Sequence, residues 1–289
     1  MQKGGTKRKI HSDKAQPKPG FEYKMVEQPQ FESPVHERGI RLQNRVAVIS
    51  GGDSGIGRAV AVGFAKEGAN ISLSYLPAEE KDARFTRDYI EKLGRKCLLF
   101  PGDVTSERQC RKIIEDTHKY FGRLDILVNN AGTHTSTDKL EKISSLQLKK
   151  TFATNVFSMF YLSKAALKFL PEGGSIINTT SVTAYRGSSH LIDYSASKGA
   201  IVSFTRSLSS SLMERKIRVN AVAPGPVWTP LIVSGLEPEE IPFFGSDGPM
   251  KRAAQPYEIA SCFTFLASDD SSFISGQVIH PNGGEIINS

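Results

Sequence analysis

From Arg45 onward, short apolar runs alternate with longer amphipathic stretches. Arg45-Val46-Ala47-Val48-Ile49-Ser50 is rich in β-branched residues and stops at glycine. Ile71 to Tyr75, Lys96 to Phe100, Ile126 to Val128, Ser175 to Thr179, Val219 to Ala223 and Gln277 to His280 repeat the pattern. Between them, helical stretches are expected over Ala59 to Lys66, Glu79 to Leu93, Ser106 to Phe121, Ser145 to Leu170, Tyr194 to Arg215 and Pro256 to Ala267. Strands and helices alternating at this spacing predict a parallel sheet with helices on both faces. Strands buried on both faces also explain the near-continuous apolar runs. The expectation is one α/β domain over 45–289, a doubly wound parallel sheet of about seven strands.

The first 44 residues break this pattern. Lys7-Arg8-Lys9 and four prolines (Pro17, Pro19, Pro29, Pro34) sit among Gln, Glu and Lys with little apolar periodicity. Such a segment buries too little apolar area to offset its ordering entropy, unless it lies on another surface. Phe21, Tyr23, Met25, Val26 and Phe31 leave docking open, so 1–44 is expected to be a basic arm, partly disordered or docked. The arm holds nine Lys or Arg against five Asp or Glu. It thus carries four of the seven net positive charges and leaves the body ordinary in charge. With aromatics only scattered through it, the arm is not expected to bind nucleic acid. No run nears the ~20 apolar residues of a membrane helix, and the N-terminus lacks the apolar core of a secretory signal. The three cysteines, Cys97, Cys110 and Cys262, are far apart without metal-ligand spacing. They read as reduced packing residues of a cytoplasmic protein, and no metal site is expected.

The candidate chemistry gathers at the ends of the expected strands. Gly51-Gly52-Asp53-Ser54-Gly55-Ile56-Gly57 follows the first strand and opens a helix, where glycines let the backbone approach a pyrophosphate at a helix N-terminus. The second strand ends Ser74-Tyr75-Leu76-Pro77, with neither the acid that would favour NAD nor the arginine that would favour NADP. Cofactor choice therefore stays open between NAD(H) and NADP(H). Asp103-Val104 and Asn129-Asn130-Ala131-Gly132 close the third and fourth strands, where open α/β sheets bind ligands. Ser181 follows the fifth. Tyr194 and Lys198, four apart, share one helix face. A tyrosine is a weak acid or base near neutrality, so the ammonium beside it is expected to favour the phenolate. His134 either lines the substrate pocket or faces solvent.

Taken in order, Gly51-x3-Gly55-x-Gly57, Asp103, Asn129-Asn130-Ala131-Gly132, Ser181, Tyr194-x3-Lys198 and Pro224-Gly225 resemble the short-chain dehydrogenase/reductases over roughly 85% of the chain. The glycine-rich segment, Ala223 to Pro230 and the Pro-containing leader resemble a bacterial general-stress-type subgroup. The family's Thr before the first glycine is Ser50, which keeps the hydroxyl. The resemblance implies a Rossmann-type fold and an NAD(P)-dependent oxidoreductase interconverting an alcohol and a carbonyl compound. It implies Tyr194 as general acid/base, Lys198 on the nicotinamide ribose, Ser181 on the substrate oxygen and Asn155 holding a water. Asp103 and Val104 would flank the adenine. Pro224, Gly225, Val227 and Thr229 would follow the nicotinamide, with a substrate lid over about 231–252. It also implies a homotetramer. The competing expectation is a catalytically silent cofactor sensor or scaffold whose basic arm binds a partner.

Overall fold

Seven strands form one sheet in the computed structural model, which describes residues 8–287. They are β1 (Val46–Ser50), β2 (Asn70–Tyr75), β3 (Cys97–Pro101), β4 (Ile126–Asn129), β5 (Ser175–Thr179), β6 (Arg218–Val222) and β7 (Val278–Ile279). Their order is β3-β2-β1-β4-β5-β6-β7, and every pairing is parallel. The order reverses between β1 and β4, so their carboxyl ends open the crevice in which doubly wound sheets bind ligands. The fold is the expected Rossmann-type α/β architecture.

Alternating side chains of each strand feed two cores. Ala47 and Ile49 join Ile71, Leu73 and Val128 beneath α1 (Gly55–Lys66) and a late helix at Pro256–Ala267. Val48 and Leu127 enter the opposite core, against helices at Glu107–Phe121 and Ser158–Ala166. In chain order the helices after α1 are α2 (Glu80–Lys92), α3 (Glu107–Phe121), α4 (Ser145–Phe152), α5 (Ser158–Ala166), α6 (Thr183–Arg186), α7 (Ile192–Leu212), α8 (Pro230–Gly235) and α9 (Pro256–Ala267). Helix α3 shows how local sequence sets its ends. Ser106 Oγ accepts from the Gln109 amide at 3.3 Å, and Gly122 closes the other end at φ 74°, a left-handed conformation that glycine adopts without strain.

Two expectations change in detail. The single helix expected over Ser145 to Leu170 is divided by a π-helical turn at Ala153–Phe157, which contains Asn155. Amphipathic spacing does not report such an insertion, because both flanking helices keep their apolar faces. The segment 231–252 is also partly structured, holding most of α8 and a 3-10 turn at Ile241–Phe243.

The described part of the arm lies against the body. The ring of His11 stacks on the fully buried Trp228 at 3.7 Å, while the Trp228 indole donates to Glu27 O at 2.8 Å. Ile10 and His11 donate their amides to Pro242 O, and Gln16 donates to Val233 O. Lys7 lies outside the described residues; Arg8 and Lys9 are exposed.

Candidate active site

Strand β1 delivers the chain to the crevice at Ser50. Its hydroxyl accepts from the amides of Asn130 at 3.0 Å and Ala131 at 3.1 Å, tying the ends of β1 and β4 together. The Asn130 side chain returns two hydrogen bonds, to Ser50 O and Gly51 O. Gly51 and Gly55 have φ of +61° and +51°, where a side chain is strained. Gly57 is required for a different reason. A Cβ there would lie 1.8 Å from Gly51 O and 2.8 Å from Asn130 Nδ2. Gly57→Ala is therefore expected to cost about 1–3 kcal/mol in stability and to weaken dinucleotide binding, measured by thermal melts and nucleotide titration. An unchanged melting temperature would show that the turn yields more readily than this packing implies.

A cavity of about 440 Å³ runs from this turn across the carboxyl ends of the strands. One end is lined by Asp53, Ser54, Ser74, Tyr75, Leu76, Glu79, Asp103 and Val104. Burial pushes the Asp53 carboxyl up to about 6 and that of Glu79 up to about 8. Ser74 Oγ is buried and finds no hydrogen-bond partner among the described residues. Asp103 both lines the cavity and accepts from the Thr105 amide at 2.8 Å, so its turn-capping and ligand-facing readings coexist. The turn is shaped for close backbone approach by a phosphate, and an unsatisfied hydroxyl lies on the same cavity wall as Tyr75 and Leu76. These features fit a dinucleotide.

At the other end Ser181, Tyr194 and Lys198 line the same cavity, with Thr179, Pro224, Gly225, Val227 and Thr229 along its wall. Tyr194 and Lys198 project from one face of α7, as their spacing required. Lys198 Nζ donates to Thr179 O at 2.8 Å and lies 5.4 Å from the centre of the Tyr194 ring. In the protein alone, burial works against the acidification expected of the phenol. Burial pushes Tyr194 up to about 12, although the Ser181 hydroxyl pulls the other way. Burial likewise brings the Lys198 amine down to about 7. Both groups are driven toward neutrality because neither finds enough opposing charge in the cavity.

Three expected residues stand off the cavity wall. Gly57 lies beneath the turn. Asn155, 2% exposed, accepts from the Thr133 amide at 2.8 Å and donates to Thr133 O and Ser197 Oγ. It holds the loop after Gly132 against α7. His134 neither lines the cavity nor faces solvent. It is 4% exposed, packed edge-on to Tyr194 at a 5.5 Å ring separation, and held neutral by burial with a value of about 4. Its imidazole fills space beside Gly235, where an added Cβ would meet the ring at 2.2 Å.

Sequence reasoning did not find the arm's part in the wall. Lys18, Pro19 and Gly20 line the cavity together with Lys150 and Thr154, and Ile232 and Phe244 contribute from the 231–252 segment. Lys18 donates to His134 O and to Thr135 Oγ1. The sole clue was the run of apolar residues in an otherwise polar leader, which indicated docking without its address. Among the described residues there is no group of three or more side chains placed to hold a metal, and no helix long and apolar enough to cross a membrane.

A family model described as Enoyl-(Acyl carrier protein) reductase matches residues 51–285. A solved structure, a short-chain dehydrogenase from Burkholderia cenocepacia in complex with NADP, superposes with a TM-score of 0.79 at 30% identity, covering 84% of this chain and 98% of that one. This chain belongs to the short-chain dehydrogenase/reductase family. Within it, general stress protein 39 of Bacillus subtilis is 49% identical, over 93% of this chain and 94% of its own. NADPH-dependent aldehyde reductase 1, chloroplastic, of Arabidopsis thaliana is 46% identical, over 94% and 96% respectively. As a member of this family the protein is an oxidoreductase using NAD(H) or NADP(H).

Proposed function

We propose that this short-chain dehydrogenase/reductase interconverts an alcohol and a carbonyl compound, with Tyr194 as the general acid/base. The observation that carries the reading is the convergence of Ser181, Tyr194 and Lys198 on the cavity that also contains the glycine-rich turn. The aldehyde-reductase name of the Arabidopsis relative supports the same reaction class.

The roles follow from chemistry. In reduction, Tyr194 donates its hydroxyl proton to the carbonyl oxygen; in oxidation it takes the alcohol proton. Ser181 donates a hydrogen bond to the same oxygen as charge grows on it. When bound, a nicotinamide cofactor would supply or receive the hydride, and its oxidised ring would carry positive charge. Lys198 would hold the ribose hydroxyls, which would add acceptors to Thr179 O and favour its ammonium form. That ammonium lowers the Tyr194 pKa from its cofactor-free value. Asn155 supports the site by fixing Thr133 and Ser197 rather than by touching substrate. Gly51, Ser54 and Ile56 would receive the pyrophosphate, Gly55 would let the backbone approach it closely, and Asn130, Ala131 and Gly132 would line the cavity beside it. Tyr75, Leu76, Asp103 and Val104 enclose the adenosine. Pro224, Gly225, Val227 and Thr229 follow the nicotinamide, and 231–252 covers the substrate.

The test is oxidation of NADH or NADPH by purified protein across a panel of aldehydes and ketones, followed at 340 nm beside Tyr194→Phe. Turnover that the phenylalanine variant loses supports the assignment; equal turnover by both proteins removes Tyr194 as proton donor. A catalytically silent scaffold would leave the buried amine of Lys198, costly to retain there, without a purpose.

We also place the protein in the cytoplasm, where Cys97, Cys110 and Cys262 remain free thiols. A homotetramer would cover the apolar surface on α4, the π-turn and α5, where Leu146, Leu148, Phe157 and Phe160 are exposed. Light scattering is expected to give about four times the chain mass of 31.7 kDa. Phe160→Glu should shift it to a smaller species, whereas a wild-type monomer would contradict the assembly.

A further inference from the structure

The N-terminus of α1 is capped from far away. Its N-cap residue, Ser54, makes no side-chain cap. Instead Glu22, 33 residues upstream in the arm, accepts the Gly55 amide on Oε2 at 2.6 Å. Glu22 is 1% exposed, and its other oxygen pairs with the buried guanidinium of Arg58. Arg58 in turn donates Nε to Asp53 O at 3.0 Å and pairs through Nη2 with Asp82 at 3.0 Å. Thr86 Oγ1 also donates to Asp53 O at 2.8 Å. The glycine-rich turn is thus gripped at two peptide groups, the carbonyl of residue 53 and the amide of residue 55.

The arm is tied down on both sides of this grip. The amides of Glu22 and Tyr23 donate to the Asp82 carboxylate at 3.1 and 3.2 Å. Upstream, Gln16 reaches Val233 O in α8, and His11 covers Trp228. One continuous stretch of arm therefore connects the segment over the substrate end to the turn at the cofactor end. Glu22 itself does not line the cavity; Gly55, which it holds, does.

We propose that Glu22 is a positioning residue for the dinucleotide, which fixes the Gly55 peptide so that the following amides of α1 face the cofactor phosphates. A helix N-terminus leaves several amides without intrahelical partners. An acceptor that takes the Gly55 amide without lining the cavity sets the orientation of the peptide and leaves the amides beyond it for an anion in the cavity. The pairing with Arg58 offsets the negative charge that an unpaired carboxylate would set against a phosphate. Polar backbone groups buried without partners are costly, so loss of the carboxylate should let the turn relax to other orientations. This inference rests on the dinucleotide reading of the turn.

The experiment measures binding of NADH and NADPH to the full chain by nicotinamide fluorescence, together with thermal melts and steady-state kinetics. Glu22→Ala is expected to raise the Kd of the preferred nucleotide about tenfold or more. Its kcat at saturating cofactor should stay within about threefold of wild type, the rise appearing in the cofactor KM. Glu22→Gln, which keeps an acceptor oxygen and the side-chain volume, should fall between the two. A folded Glu22→Ala protein with the wild-type Kd overturns the proposal, as does a fall in kcat without a change in Kd. If the alanine variant does not fold, Glu22→Gln decides, and a wild-type Kd there overturns it. If wild-type protein binds neither nucleotide, the dinucleotide reading fails and the inference falls with it. If it binds nucleotide but reduces no carbonyl in the panel, the proposed reaction fails while the Glu22 result stands by itself.

Discussion

Tyr194→Phe is expected to lower kcat/KM for any carbonyl substrate by about 10²–10⁴-fold, the contribution typical of one positioned proton donor. The substitution removes a single oxygen from a ring already packed against His134 at a 5.5 Å separation, so fold and cofactor affinity should be nearly unchanged. The loss should therefore appear in kcat while the Kd for NADH or NADPH stays within about twofold. A direct optical observation checks the accompanying electrostatics. With burial holding its phenol up at about 12, Tyr194 should remain un-ionised near pH 9 in cofactor-free protein. Adding oxidised cofactor should produce one phenolate absorbance step at lower pH, and Tyr194→Phe should lack it. A step already present without cofactor would mean that the protein alone acidifies the phenol.

Lys198→Met is expected to abolish most turnover and, at the same time, to stabilise the cofactor-free protein. The amine is 3% exposed and brought down to about 7 by burial, from 10.5 when unfolded. A group whose folded value is depressed contributes full stability above its unfolded value and loses it as pH falls toward the folded one. The penalty from Lys198 is therefore small at pH 10.5, grows as pH falls to 7 and levels off below. Methionine removes it, at the cost of the hydrogen bond to Thr179 O, which is worth about 1 kcal/mol. The net gain is expected to be roughly 2–4 kcal/mol at pH 7, shrinking toward zero near pH 10. Thermal melts of both proteins across this range provide the test. A methionine variant less stable than wild type at pH 7 would show that the amine finds compensation beyond Thr179.

Much of the site was legible because its residues occupy strand ends and helix faces with strong local signals. Gly51, Gly55 and Gly57 follow a β-branched run and open a helix, while Tyr194 and Lys198 repeat at helical spacing. Fixed local geometry converts such spacing into position, and these five residues lie where the pattern placed them, with Gly57 beneath the turn rather than on the cavity wall. His134 and Asn155 were less tractable. Whether His134 faced solvent, the pocket or the back of Tyr194 depended on Gly235, about one hundred residues away. Asn155 sits in a π-turn that apolar periodicity cannot register, and its partners come from β4's following loop and from α7.

The amino-acid order by itself determined the parallel seven-stranded sheet, the crevice at the strand ends and the residues converging there. Each depends on periodicity or on backbone freedom within a few positions. Only the tertiary structure decided the destination of the arm and how burial shifts the proton affinities of Tyr194 and Lys198. A polar leader carries no period that names its contact surface, so the reach of Glu22 to Gly55 depends on long-range packing. Likewise, neighbouring positions on a helix say that an amine and a phenol are close. Their proton affinities follow from how much water and opposing charge the completed cavity leaves them.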